Sequence, residues 1–284
     1  MISKKKMKRL SKTICSWRPE VMNKSARVCE MKMTSERWFH QCTIRSQKKI
    51  PLDELKITQF RLEEDQNMHS NWIKLQRMHF TQNGVERTWD IALTADSVSC
   101  LIYHKTRKCF MLVKQFRPAL FARQVLEDNH RPLPKTQDFI LPEKPEFTFE
   151  LCAGLSDKDL PPEATIQAEI EEECGYRIPL EHIQRINSFF TGTASNASVQ
   201  HMFYVEMDDN TEKNWKVSEG GGVAEEGENI EVYKLPLQAT KNFLVDASIV
   251  KPSTLIYALT WWFLEKASPE EQQKYYFQST SHSP

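Results

Sequence analysis

An α/β/α sandwich built on a mixed sheet, with an antiparallel hairpin extension on its N-terminal side, is the fold this sequence predicts. Three observations carry it. Two strand-like runs flank Asn83-Gly84. A short apolar run, residues 147–152, leads through Ala153-Gly154 into a glutamate-rich helix that stops at Gly175. Further strand-like runs then precede an apolar helical segment near the end of the chain. Strands and helices mixed in this order bury one sheet between helical layers.

Residues 1–49 show no sustained hydrophobic period and read as a basic, unstructured extension outside the fold. Lys4, Lys5, Lys6, Lys8, Arg9, Lys12 and Arg18 all precede the first acidic residue, Glu20. The same composition also fits a mitochondrial presequence or a nucleic-acid-binding tail. Residues 50–69 read as a linker or first strand, 70–266 as the folded domain and 267–284 as a tail. Residues 72–80 and 85–93 form the first hairpin, because both positions of Asn83-Gly84 tolerate positive φ. A second hairpin pairs residues 98–103 with 109–114. Pro132, Pro134, Pro142 and Pro145 interrupt residues 127–146, which read as a surface insertion. After the glutamate helix, residues 183–190, 199–207 and 230–235 are strand-like, and helices follow Pro236 and Ser253. In the last of these, Leu255, Ile256, Leu259, Trp262 and Phe263 recur at helical spacing, with Ser253 as the expected cap.

Composition excludes several classes. The formal net charge is zero, so apart from the basic N-terminal segment nothing favours a nucleic-acid partner. The seven cysteines form no CxxC pair and the histidines no ligand cluster, which argues for a reducing compartment and against a structural zinc site. The cytoplasm is the expected location, with the mitochondrion as the alternative if the basic segment is a presequence. No apolar run approaches membrane-spanning length, no GxSxG elbow appears, and the Gly220 to Gly222 triplet lacks a P-loop ending.

The chemistry is concentrated in the glutamate helix. Pro161, Pro162 and Glu163 supply its start and Gly175 its stop. Glu169, Glu172 and Glu173 stand at i, i+3 and i+4 and share one face, where like charges repel unless a cation intervenes. A divalent metal answers that repulsion, and hard carboxylate oxygens suit Mg²⁺. The competing account is a solvated surface, with Glu173 paired to Arg177 four residues on.

This strand, glycine turn, glutamate helix and terminal glycine resemble the box of the Nudix hydrolase family. Gly154, Glu169, Ile170, Glu172, Glu173, Gly175 and, loosely, Tyr176 occupy matching positions. Leu160 and Ala168 depart from it, standing where the box has a glutamate and an arginine. Their joint change reads as an apolar pair replacing an ion pair. The resemblance runs through residues 89–98, 113–122, 149–155 and 220–232 and covers about residues 70–266. It is nearest to the UDP-sugar pyrophosphatase branch. The ADP-ribose pyrophosphatase branch carries a proline beyond the box where this chain has Thr191-Gly192.

The resemblance implies Mg²⁺-dependent hydrolysis of a UDP-sugar to UMP and a sugar 1-phosphate. It implies Glu169, Glu172, Glu173 and the carbonyl of Ala153 as metal ligands, and Arg117 and Glu150 as substrate-binding residues. It also implies a homodimer to which the hairpin contributes. Arg117 follows an apolar strand, where a guanidinium can fork onto phosphate oxygens or simply meet solvent. Glu150 has a structural hydrogen bond as its competing role, and Ala153 tight packing. The general base is expected from the loop at residues 220–228, read as a glycine hinge followed by glutamates. Glu226 is the first choice on its spacing to Ile230, and Glu228 the second. The alternatives are an ADP-ribose or broad nucleotide-sugar pyrophosphatase and, from another class, a binding module that has lost catalysis.

Overall fold

The computed structural model describes residues 51–58, 60–62, 69–128, 139, 141–156 and 159–277, except the side chain of Glu226. The basic segment at residues 1–49 lies outside the described residues. The first hairpin pairs β1 (Lys74–Gln82) with β2 (Val85–Leu93), antiparallel and separate from the main sheet. Asn83 and Gly84 turn it at φ 54° and 80°, the left-handed pair that the dipeptide was expected to adopt.

The main sheet contains β3 (Ser97–His104), β4 (Cys109–Phe116), β5 (Phe147–Glu150), β6 (Cys152–Leu155), β7 (Gln184–Thr191), β8 (Ser198–Met207) and β9 (Ile230–Pro236). It is mixed, because β3 runs parallel to β8 and every other pair is antiparallel. The β3–β4 hairpin pairs over only three positions, Ile102 to His104 against Met111 to Cys109. Beyond them it splays: the start of β3 takes β6 as partner and the end of β4 takes β5. The run expected as one strand over residues 147–152 is therefore two, broken at buried Leu151.

Side-chain alternation along β3 makes the sandwich. Val98, Cys100 and Ile102 join one apolar cluster with Ile166, Ile170, Phe203 and Val205. Leu101 and Tyr103 join the other with Leu255, Leu259, Trp262 and Phe263. A strand buried on both faces carries apolar residues on both, as β3 does from Cys100 to Tyr103. The helices are α1 (Pro118–Asp128), α2 (Pro162–Glu169), α3 (Asp209–Trp215), α4 (Thr240–Val245), α5 (Ser253–Glu265) and α6 (Pro269–Gln272). Of these, α2 covers the first face and α5 the second.

Several boundaries differ from expectation. Helix α1 was not anticipated, although Pro118 at its first position is a start signal. Ser253 is the first residue of α5, and Pro252 occupies the cap without a side-chain bond. The packed structure continues past residue 266, since Tyr276 stacks on Phe263 at 4.8 Å. It also begins before residue 70: Leu52 is fully buried in a 3₁₀ turn, and its N–H donates to Glu231 Oε1 at 2.9 Å. Leu52→Ala is therefore expected to lower unfolding free energy by about 3 kcal/mol in urea melts, as for other buried leucines.

Candidate active site

The splay of β3 from β4 brings four chain segments to one end of the sheet. Arg117 directly follows β4, and its carbonyl accepts the first helical N–H of α1, from Phe121 at 3.1 Å. Its guanidinium forks onto Glu150 of β5, with Nε and Nη2 donating at 2.8 and 2.7 Å. Thr148, two residues earlier on the same face of β5, donates its hydroxyl to Glu150 Oε1 at 2.5 Å. Sequence reasoning missed Thr148; its i, i+2 relation to Glu150 was the available signal. Arg117 thus keeps contact with solvent, its side chain 45% exposed, while Glu150 holds its guanidinium in place.

Burial pushes the Glu150 carboxyl up, but the Arg117 hydrogen bonds and charge, with the Thr148 hydroxyl, outweigh it and leave its pKa below the ordinary 4.5. A depressed acid contributes stability above its unfolded pKa and loses it as pH falls through the folded value. Glu150→Gln should therefore melt below the parent protein at pH 7, with the difference closing below about pH 4. Thermal melts at both pH values check this.

Helix α2 continues from Glu169 into a turn of π-helix, Ile170–Cys174, before Gly175 stops it at φ 79°. Such wide turns re-aim side chains and recur at functional sites. Glu173 points inward and is 4% exposed; its Oε2 accepts the N–H of Ala153 at 3.0 Å, and the Cys152 thiol also hydrogen-bonds it. The expected alternative, pairing with Arg177, is not realised: Arg177 forks onto Glu171 at 2.7 and 2.6 Å. Glu169 lies over Gly154, where an added Cβ would come within 2.0 Å of its Oε1. An added side chain there would displace the Glu169 carboxylate from this position. Glu172 is half-buried on the same turn.

Burial, then the charges of Glu169 and Glu228, push the Glu173 carboxyl up to about 8. The charges of Glu173 and Glu228 likewise reach Arg117. Glu169, Glu173, Glu228 and the Arg117–Glu150 pair therefore act on one another electrostatically. A divalent cation fits this set: the donors are hard oxygens, and a buried carboxylate with acidic neighbours gains most from added positive charge.

The loop at residues 220–228 is not the free hinge expected from its glycines. Gly221 N–H donates to the carbonyl of Glu173 at 2.8 Å and Gly222 N–H to that of Glu172 at 3.0 Å. These bonds satisfy carbonyls that the end of a helix leaves unpaired. The backbone of Glu226 ends a 3₁₀ turn, Ala224–Glu226, while its side chain is outside the described set. Glu228 Oε2 accepts the N–H of Val223 at 2.9 Å.

Two other features do not join the site. Leu160 is 48% exposed, so Leu160 and Ala168 do not form the buried apolar pair expected to replace an ion pair. Among the described residues, the set of three potential ligands whose donor atoms converge within 4.8 Å is His104, Asp209 and Glu212, not the box glutamates. There Arg107 already supplies the cation, bonding Asp209 at 3.1 Å and Glu212 through two nitrogens. His104 Nδ1 accepts the N–H of Arg107 at 3.3 Å, which leaves the proton on Nε2, the atom a metal would need.

The split hairpin sets a glutamate helix beside an arginine–glutamate pair, a donor set suited to a divalent cation and an anionic group. No family model matches the chain. It is 38% identical to the uridine diphosphate glucose pyrophosphatase of Bos taurus over 194 residues, covering 66% of this chain and 86% of that protein. The corresponding figures for the Mus musculus protein of the same name are 36% over 205 residues, 69% and 90%. A GDP-mannose pyrophosphatase of Klebsiella pneumoniae is 27% identical over 191 residues, covering 66% and 83%. The chain belongs to the Nudix hydrolase family.

Proposed function

We propose that the protein hydrolyses the pyrophosphate bond of UDP-glucose or a related UDP-sugar, giving UMP and a sugar 1-phosphate, with Mg²⁺ as cofactor. The observation that carries this reading is the meeting of Glu169, Glu173, Glu228 and the Arg117–Glu150 pair at the splayed end of the sheet. The relatives named as UDP-glucose pyrophosphatases, similar over most of their length, support the choice of sugar nucleotide.

Glu169, Glu172 and Glu173, with the backbone at Ala153, would hold the ion. When bound, it neutralises the phosphates and lowers the pKa of the attacking water. Glu150 occupies Nε and Nη2 of Arg117, which leaves Nη1 to grip a phosphate oxygen in an orientation fixed in advance. Glu228 takes the proton from water as it attacks phosphorus, and the electron pair of the broken P–O bond leaves on the departing phosphate. We assign the base to Glu228, a described loop glutamate whose carboxylate charge reaches Glu173 and Arg117.

A hydrolysis panel of UDP-glucose, GDP-mannose and ADP-ribose, with Mg²⁺ and with chelator, tests this. UDP-glucose is expected to turn over fastest, and only with metal. Preference for ADP-ribose would move the enzyme to the sister branch, and no turnover of any substrate would make the fold a binding module.

We further propose a homodimer formed through the hairpin. The register of β1 and β2 puts Met78, Phe80, Val85, Trp89, Ile91 and Leu93 on one face, with Val85 62% and Trp89 47% exposed. An uncovered apolar face of this kind marks an interaction surface. Met78→Lys with Trp89→Lys is expected to halve the mass seen by sedimentation; an unchanged mass would place the interface elsewhere. A cytoplasmic location is supported by the four described cysteines being free and buried. Among the described residues, no helix is long and apolar enough to cross a membrane.

A further inference from the structure

We propose that the glycine strap at residues 220–222 is a positioning element. It fastens the loop bearing Glu228 to the end of the metal-binding helix, so that the base is set before metal or substrate arrives. This rests on the reading of Glu228 as the base. Gly220, Gly221 and Gly222 all have positive φ, at 66°, 108° and 81°, a run that L side chains adopt only with strain. That conformation aims two successive N–H groups at the carbonyls of Glu173 and Glu172, the residues whose side chains face the metal site. On its far side the strap is tied to β9, through Ile230 N–H to the Gly221 carbonyl at 3.1 Å. Between these anchors the loop closes on itself. Val223 N–H meets Glu228 Oε2 at 2.9 Å, and Glu228 N–H meets the Val223 carbonyl at 3.2 Å.

The glycines at the two ends of the strap answer different neighbours. A Cβ at Gly220 would lie 2.4 Å from the carbonyl oxygen of Glu173, a backbone atom that can yield only by shifting the π turn. At Gly222 it would lie 2.7 Å from Glu228 Oε2 and 2.8 Å from Glu228 Cβ. Substitution at the first should disturb the metal glutamates, and at the second the base.

The test separates the strap from the base assignment. Gly222→Ala is expected to lower kcat by about 10²-fold, the size of a roughly 1 Å misplacement, with KM nearly unchanged. Calorimetric Mn²⁺ affinity should stay as in the parent enzyme. In a Glu228→Gln background the same substitution should lower kcat no further, since its route of action is gone. Gly220→Ala should instead weaken Mn²⁺ binding about tenfold. In the metal-free parent enzyme, the amides of Gly221, Gly222 and Val223 should exchange as slowly as those of Cys174 and Gly175.

Fast exchange of the strap amides without metal would overturn the proposal, because the loop would then be ordered by ligand. So would additive losses in the double variant. Full activity of Glu228→Gln alone would overturn the base assignment instead, and the exchange rates would then decide the strap by themselves. They also decide it if Gly222→Ala fails to fold.

Discussion

Glu173→Gln is expected to lower turnover of UDP-glucose by about 10³-fold, equal to roughly 4 kcal/mol of barrier, and chelation to abolish it. Glutamine keeps the shape, and its amide oxygen can still accept the Ala153 N–H that now bonds Glu173 at 3.0 Å. What it loses is the charge. In a pocket where Glu173 is 4% exposed, that charge is worth more to a cation than at a surface. A second measurement guards against misfolding. In chelator above about pH 8 the variant should melt no lower than the parent, because there it removes a buried charge that burial, Glu169 and Glu228 all oppose. Full turnover would take Glu173 out of the metal site. A lower melting temperature in chelator would mean that its charge supports the fold.

Glu228→Gln is expected to lower kcat by about 10²-fold or more with KM nearly unchanged, the signature of lost general-base help. Glutamine can still accept the Val223 N–H, so the loop should hold its conformation. Glu226→Gln should be milder. The opposite order would give the role to Glu226, the residue that spacing to Ile230 favoured. The distinction matters because the strap ties the loop to the helix at Glu172 and Glu173, setting the reach of whatever side chain follows.

What was legible in the sequence was local. Asn83-Gly84 marked the hairpin because both positions need positive φ, and the observed turn has it. Pro162 and Gly175 bounded the glutamate helix for reasons that act within a few residues: one starts it, the other ends it in a left-handed conformation. The helical spacing in α5 marked the face it buries for the same reason. The illegible parts depended on partners distant in sequence. Nothing near Arg117 indicated Glu150, which reaches it because β4 pairs with β5 across an intervening helix. Leu52 carried no periodic signal, and its burial follows from contact with the sheet near Glu231.

The glycines at 220 to 222 show the division most clearly. By themselves they say only that the backbone there is free to adopt unusual angles, which fits a mobile hinge as well as a close approach. Tertiary structure selected the second, because the carbonyls of Glu172 and Glu173 at the helix end needed donors and these N–H groups met them. Sequence alone set out the kind of site we propose, since carboxylates spaced along one helix face are a local arrangement that favours a cation. Tertiary structure decided which of those carboxylates is buried and how the arginine is held. Each of those depends on the splay of β3 from β4, which brings together groups that no local pattern connects.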